Sequence, residues 1–300
     1  MDYINLKEKS SHGNSLFPLH VYTHINKVGS YSVNAHWHNE IEIIYVEKGE
    51  FEIIVDMNTY TLKTGDYIFI NSGSIHSIAS VNTNISIHHA MVFDSNLLTC
   101  TQFDICQINY ISPLSNKSLK LPSFIDNDSK IYDKILNELI CIIKSYKYKN
   151  IGFELIIKGA LFKILSYIAQ ENKFLKKNNI NSPSANYKLD LIKKVFIYID
   201  KNYLNKIYIE DLAKEVNMNS QYFCRFFKSV IGKTPIDYIN NYRIEKSVEL
   251  LITTNDKILN ICYSVGFDNF SYFIKTFKKI KNCTPSVKWY LCQGHFKKES

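Results

Sequence analysis

Two stretches, Asn219-Ser-Gln-Tyr-Phe-Cys-Arg-Phe-Phe-Lys228 and Asn269-Phe-Ser-Tyr-Phe-Ile-Lys-Thr-Phe-Lys278, are one segment written twice. At an offset of 50 residues Asn219 falls on Asn269, Tyr222 on Tyr272, Phe223 on Phe273, Phe227 on Phe277 and Lys228 on Lys278, and the match runs on to Thr234-Pro235 and Thr284-Pro285. Upstream the offset becomes 49, pairing Ile209-Glu-Asp-Leu-Ala213 with Ile258-Leu-Asn-Ile-Cys262; one residue has been added near Gly266-Phe267-Asp268. Self-similarity at a fixed spacing is the mark of a repeated structural unit. Each copy reads as a short helix, a tight turn and a second helix opened by an Asn whose side chain caps the first amides. That is a helix-turn-helix made twice.

The apolar spacing assigns the faces of these helices. Phe223, Phe226 and Phe227 form the buried stripe of the first copy, leaving Gln221, Cys224, Arg225 and Lys228 on another face; Phe273 and Phe277 leave Ser271, Ile274, Lys275 and Lys278. An outward face near a helix N-terminus is where a recognition helix meets base edges. The chain has only two arginines, Arg225 and Arg243, and Arg225 occupies a position from which a guanidinium makes bidentate bonds to guanine. Lys228 and Lys278 suit phosphate, which positions a protein without reading sequence; Tyr222 and Tyr272 contact phosphate or simply pack. Thr234-Pro235 caps and starts a further helix, whose apolar spacing from Tyr238 through Leu251 makes a rigid connector between the units. Such a spacer sets two recognition helices about one duplex turn (34 to 36 Å) apart, so that one chain reads an asymmetric site.

Charge follows the same division. The formal net charge of the 300 residues is +8, and residues 188–300 hold all of it, with 19 basic and 11 acidic side chains; residues 1–112 carry 5 lysines against 11 acids, and residues 113–187 carry 12 lysines against 6. A basic terminal segment makes nucleic acid a candidate partner. With 46% hydrophobic residues the chain has enough apolar mass for packed cores. The opening Met1-Asp-Tyr-Ile-Asn-Leu-Lys has no secretory pattern, and no run approaches the length of a membrane span. Seven cysteines without a Cys-x-x-Cys pair fit free thiols in a reducing cytosol, so a cytoplasmic location is expected.

The front of the chain has a different grammar. Ile41-Glu-Ile-Ile-Tyr-Val46, Phe51-Glu-Ile-Ile-Val-Asp56, Tyr67-Ile-Phe-Ile70 and Ile85-Ser-Ile-His-His-Ala-Met-Val-Phe93 are apolar or alternating runs separated by Gly-containing turns at 47–50, 63–66 and 71–74. Runs at roughly ten-residue spacing predict an antiparallel sandwich or barrel. Within it, His36-Trp-His38-Asn-Glu-Ile-Glu42 with Gly49, and Gly65-Asp66 through Gly73 to His76, resemble the two motifs of the cupin superfamily, with Asn71 standing where the second motif usually has Pro. On one strand, residues 36, 38 and 42 share a face, so His36, His38, Glu42 and His76 are expected to line a barrel mouth, either as hydrogen-bonding groups of a small-molecule pocket or as ligands of a divalent transition metal. His88 and His89 point to opposite faces, so at most one of them joins that pocket.

Between these parts, Ser129–Tyr146 and Ile151–Glu171 carry apolar residues at three- and four-residue steps and predict a helical hairpin, a packing element or a dimer interface. Residues 173–187, with Ser-Pro and Asn clusters, read as a linker.

Taken together, Ile209-x-x-Leu-Ala213, Tyr222-Phe-x-Arg-x-Phe-Lys228, Gly232-Lys-Thr-Pro235, Arg243, Val265-Gly-Phe267, Ser271-Tyr-Phe273 and Phe277-Lys-Lys279 resemble the DNA-binding domain of the AraC/XylS family of transcriptional regulators. Asn282 replaces a usual Gly and Lys288-Trp289 a frequent Tyr-Arg. The expected fold is α+β and multidomain: a cupin-like sensor barrel over 1–112, a helical hairpin over 113–172, a linker over 173–187 and an all-α domain of two helix-turn-helix units over 188–300. The resemblance implies a sequence-specific regulator that binds double-stranded promoter DNA, more often an activator contacting RNA polymerase than a repressor, controlled by a small-molecule effector and needing no cofactor. Two rival readings are a metal-dependent enzyme built on His36, His38, Glu42 and His76, which two helix-turn-helix units argue against, and a regulator whose front domain only dimerises.

Overall fold

The computed structural model describes residues 12–26, 31–82, 85–100, 104–176, 183–281 and 283–287. Asn282, Lys288-Trp289, Cys292 and the opening Met1–Lys7 lie outside the described residues.

Eight strands make the front: β1 (Leu19–Asn26), β2 (Ser32–His36), β3 (Ile41–Lys48), β4 (Glu50–Val55), β5 (Asn58–Lys63), β6 (Tyr67–Ile70), β7 (His76–Ser80) and β8 (Ser86–Phe93). They pair antiparallel in two four-stranded sheets of order β1-β8-β3-β6 and β2-β7-β4-β5. Ile44, Val46, Phe51, Ile53, Val55, Ile68, Ile70 and Ile78 fill the space between the sheets. Ile41 and Ile43, one step out of phase, point the other way and pack on the hairpin. A strand buried on both faces needs apolar residues at successive positions, which is why β3 reads as a run and not as strict alternation. The sheet begins earlier than the apolar runs from Ile41 suggest: β1 and β2 are rich in His, Tyr, Thr and Asn.

After a short helical turn, α1 (Ser112–Ser115), and a brief strand, β9 (Leu119–Lys120), come α2 (Tyr132–Tyr148) and α3 (Phe153–Gln170). Their buried side chains, Ile135, Leu139, Ile142, Ile157, Leu161, Ile164 and Ile168, share one core with the outer face of the β1-β8-β3-β6 sheet. Asn71 fastens this layer: its amide donates to the Leu121 carbonyl at 2.9 Å and its Oδ1 accepts from the Leu121 N–H at 2.8 Å. The residue that departs from the expected Pro thus uses a side chain that Pro lacks.

Parts of the stretch read as a linker are structured. Strand β10 (Leu175–Lys176) pairs with β9, and α4 (Pro183–Asn202) starts inside it, with Pro183 at its first turn; proline breaks helices from within but is tolerated at their start. Then follow α5 (Ile209–Glu215), α6 (Ser220–Ile231), α7 (Pro235–Thr253), α8 (Ile258–Ser264) and α9 (Phe270–Lys281). The first half of α7 closes a core with α4, α5 and α6, and its second half closes another with α8 and α9. From Gln221 to Ser229 and from Ser271 to Lys279 the order of exposed, half-buried and buried side chains is identical at every position. The repeat in sequence is a repeat in packing.

The barrel and the first of these cores touch. Ala35 and Ile75 are buried among the α4–α7 side chains, the Tyr238 hydroxyl donates to the Ala35 carbonyl, and Lys233 Nζ donates to Asn34 Oδ1 at 3.1 Å.

Candidate functional site

Two asparagine caps aim the two exposed helices. Asn219 Oδ1 accepts from the Tyr222 N–H and Asn269 Oδ1 from the Tyr272 N–H, each at 2.8 Å. Each fixes the turn into the following helix by satisfying one of its free amides. Gln221, Tyr222, Arg225 and Lys228 on α6 and Ser271, Tyr272, Lys275 and Lys278 on α9 are exposed. Among the described residues none of the four cations in this set is tied into an ion pair, so their charge is available to phosphate or base edges. Two predicted members differ: Cys224 and Ile274 are half-buried and lean on the cores below them, because one position on each helix sits at the border of the apolar stripe.

Arg243, the second arginine, lies on α7 and faces inward between the two units. Its Nε donates to the Tyr203 carbonyl at 2.8 Å and its Nη2 to the Asn205 carbonyl at 2.6 Å, with the guanidinium 5.8 Å from the centre of the Phe267 ring. The same corner needs Gly266: a side chain there would put Cβ 2.2 Å from the Tyr203 oxygen. Asn240 Nδ2 adds a bond to the Tyr272 hydroxyl at 2.9 Å. These contacts hold the second unit at a set position on the first.

In the barrel, His36, His38, Glu42 and His76 converge as expected, each offering a ligand atom within 4.8 Å of the others. They do not share a strand face, however. His36 ends β2, His38 lies in the connection, Glu42 is on β3 and His76 opens β7 opposite His36; the motif bends at residues 37–40, and convergence comes from juxtaposing two sheets. Each imidazole is oriented by its own backbone: Nδ1 of His36, His38 and His76 lies 2.8, 3.1 and 3.1 Å from the carbonyls of Asn34, Glu40 and Ser74. A carbonyl only accepts, so every Nδ1 carries the proton, which leaves Nε2 to face the cluster. Nε2 of His38 and of His76 lie 3.1 and 2.9 Å from Glu42 Oε2, and the buried His76 Nε2 makes no hydrogen bond of good geometry. Burial alone would raise the Glu42 carboxyl, but His76 and His38 beside it hold it well below the ordinary carboxylate range. A lone pair facing a carboxylate at this distance repels it; a positive charge between them, a proton or a metal ion, resolves the repulsion. The donor set, three nitrogens and one oxygen with fixed tautomers, fits a divalent transition metal.

Three members of the cluster, His36, Glu42 and His76, line a cavity of about 670 Å³, within the range of small-molecule sites. Tyr22, His24, Tyr31 and His88 give it ring walls, and Val33, Ile44, Ile78 and Ala90 give it apolar ones. Of the His88-His89 pair only His88 faces in; His89 Nε2 pairs with Glu47 at 2.7 Å. Burial, helped by nearby His24, pushes His88 down to about 3. Burial also lowers His24. The connector helix adds a further wall: Tyr242, Glu245, Lys246 and Glu249 of α7 line the same space. This wall is not legible in the sequence, where α7 reads only as a spacer.

Comparison with known proteins agrees with both halves. Residues 212–288 match the family described as "Helix-turn-helix domain" and residues 24–86 the one described as "Cupin domain". The chain is 28% identical over 291 residues to the uncharacterized HTH-type transcriptional regulator YdeC of Bacillus subtilis, covering 94% of each chain. It is 25% identical to the HTH-type transcriptional activator RhaS of Mannheimia succiniciproducens, over 83% of this chain and 87% of that one. Among solved structures, ToxT from Vibrio cholerae shares the fold with a TM-score of 0.50 at 16% identity, over 91% of this chain and 98% of that one. Among the described residues no helix is long and apolar enough to cross a membrane.

Proposed function

Because this chain belongs to the AraC/XylS family of transcription regulators, with a helix-turn-helix DNA-binding domain joined to a cupin domain, we propose how its parts divide the work. It is a DNA-binding transcription regulator. Arg225, with Gln221, reads base edges from α6, while Ser271 and Lys275 do so from α9; Lys228, Lys278 and the hydroxyls of Tyr222 and Tyr272 hold phosphates. Cys224 and Ile274 support these faces from the side. Activation, through contact with RNA polymerase, is the mode the resemblance to RhaS supports. In a selection from random DNA followed by mobility shift, Arg225→Ala loses sequence preference; a variant that selects the same site as the parent chain overturns the assignment.

The barrel senses a small molecule. The observation that carries this reading is the cavity walled jointly by the barrel and by α7, in which a ligand would touch both domains at once. A compound that raises the melting temperature of the full chain in a thermal-shift screen is expected to lose its effect in Ala90→Trp, which fills the cavity; unchanged stabilisation would place the ligand elsewhere. The inward Nε2 atoms around Glu42 favour a second reading, in which a divalent metal ion occupies the His36–His38–Glu42–His76 cluster and forms part of what is sensed. Metal analysis of the purified chain then gives stoichiometric metal that disappears in His76→Ala, and a metal-free parent chain excludes it.

Dimerisation through the hairpin is supported by the apolar side chains it leaves outside. Ile151 and Leu155 are 106% and 76% exposed, and Phe162 lies further along α3. Leu155→Glu is expected to convert a dimer to a monomer in light-scattering chromatography. A monomeric parent chain rules this out.

A further inference from the structure

Building on the effector reading above, we propose that the joint cavity takes an organic cation, an ammonium or guanidinium head on an apolar body, and that this head competes with Lys281 for Glu245. Three carboxylates face the cavity, Glu42 on its floor and Glu245 and Glu249 on α7, against the single ammonium of Lys246. That ammonium is already engaged, with Lys246 Nζ 3.2 Å from Glu249 Oε2. An anionic head would therefore meet an excess of carboxylates and no ammonium that is not already bonded. Tyr22, Tyr31, His24 and His88 line the cavity with aromatic rings, and tyrosine rings attract cations; burial lowers both histidines, which disfavours a competing positive charge on them. Val33, Ile44, Ile78, Ala90 and Val92 add an aliphatic wall that suits an apolar body.

Glu245 connects this site to the second DNA-binding unit. Its Oε1 accepts from Lys281 Nζ at 2.6 Å, and Lys281 is the last residue of α9. Glu245 is also close enough to Tyr31, across the cavity, to contribute to raising its hydroxyl, after the larger effect of burial. One carboxylate thus faces the cavity on one side and the end of the second exposed helix on the other. Both members of the Glu245–Lys281 pair are partly open to solvent, so the bond is weak enough to be exchanged. A bound cation that draws Glu245 inward releases the C-terminal end of α9 without any movement of the barrel.

The test is calorimetric titration of the chelator-treated full chain with 4-phenylbutylamine, 4-phenylbutanol and 4-phenylbutyrate, which share a body and differ in the charge of the head. The amine is expected to bind about tenfold more tightly than the acid, with the alcohol between them. Glu245→Gln removes that advantage, and Lys281→Ala, which frees Glu245, strengthens amine binding. Hydrogen exchange supplies the second readout: α9 amides near Lys281 exchange faster when the amine is bound. Tighter binding of the acid, or an amine preference that survives Glu245→Gln, overturns the proposal and leaves the effector reading intact. Failure of all three to bind overturns it too, and the effector reading is then decided separately by the Ala90→Trp comparison.

Discussion

The hydroxyl of Tyr238, in the helix that connects the two DNA-binding units, donates a hydrogen bond to the carbonyl of Ala35 in barrel strand β2 at 2.5 Å. Tyr238 is fully buried, and its ring stacks on Phe196 with centroids 4.8 Å apart, so the connector is anchored to the barrel through a buried contact. Tyr238→Phe keeps the ring and leaves the Ala35 carbonyl without this donor. The expected cost is about 1–3 kcal/mol, seen as a lower melting temperature and as faster proteolysis between barrel and tail. A variant that melts and digests like the parent chain would show that the bond contributes nothing.

Two glycines with left-handed backbone separate steric from conformational cost. At Gly232, φ +78°, the nearest atom to an added Cβ is Ile54 Cδ1 at 3.8 Å; at Gly266, φ +88°, it is the Tyr203 oxygen at 2.2 Å. Gly232→Ala is therefore expected to cost about 1 kcal/mol from backbone strain alone. Gly266→Ala adds a clash with backbone and should cost at least about twice as much, displacing the second unit. Urea unfolding curves of the two variants give the comparison, and equal losses would contradict it.

DNA affinity should depend on salt through the exposed cations. Removing one cation from a phosphate reduces the slope of log K against log salt by about 0.9. Lys278→Ala is expected to lower that slope by about this amount and weaken all sequences alike, whereas Arg225→Ala should narrow the gap between preferred and random DNA. Anisotropy titrations at several salt concentrations separate the two outcomes.

Acid should destabilise the barrel through its buried histidines. His88 is pushed down to about 3 by burial, with a smaller contribution from His24, from the ordinary 6.5. Between those values the unfolded chain binds a proton that the folded chain refuses, so stability falls as pH drops from about 6.5 towards about 3. The limiting slope is about 1.4 kcal/mol per pH unit for one such group, and His24 acts in the same direction. His88→Phe removes this contribution. Denaturant unfolding at pH 7 and pH 5 is expected to show a smaller stability loss in the variant than in the parent chain; equal losses would refute the assignment.

Much of the tail is legible in the sequence. The paired Asn caps at 219 and 269, the buried Phe223, Phe227, Phe273 and Phe277, and the outward Arg225 and Lys275 all follow from local periodicity, because a helix fixes its faces over a few residues. Cys224 and Ile274 depart from that pattern by degree, sitting where an apolar stripe grades into the surface. Within the segment of linker composition, Leu175–Lys176 pair with Leu119–Lys120, a partner more than fifty residues away that local composition does not reveal.

The barrel shows the same limit more sharply. Residue types alone mark His36, His38, Glu42 and His76 as a set, but their convergence depends on β2, β3 and β7 meeting across two sheets, and strand pairing is non-local. Least visible of all is the role of α7. By itself the sequence determined that this chain carries a duplicated DNA-binding unit behind a strand-rich domain, since both follow from short-range patterning. Only the tertiary structure decided that Tyr242, Glu245, Lys246 and Glu249 line the barrel cavity. That wall exists because the Tyr238 and Lys233 contacts hold α7 against the barrel, and such contacts join residues about two hundred positions apart in the chain.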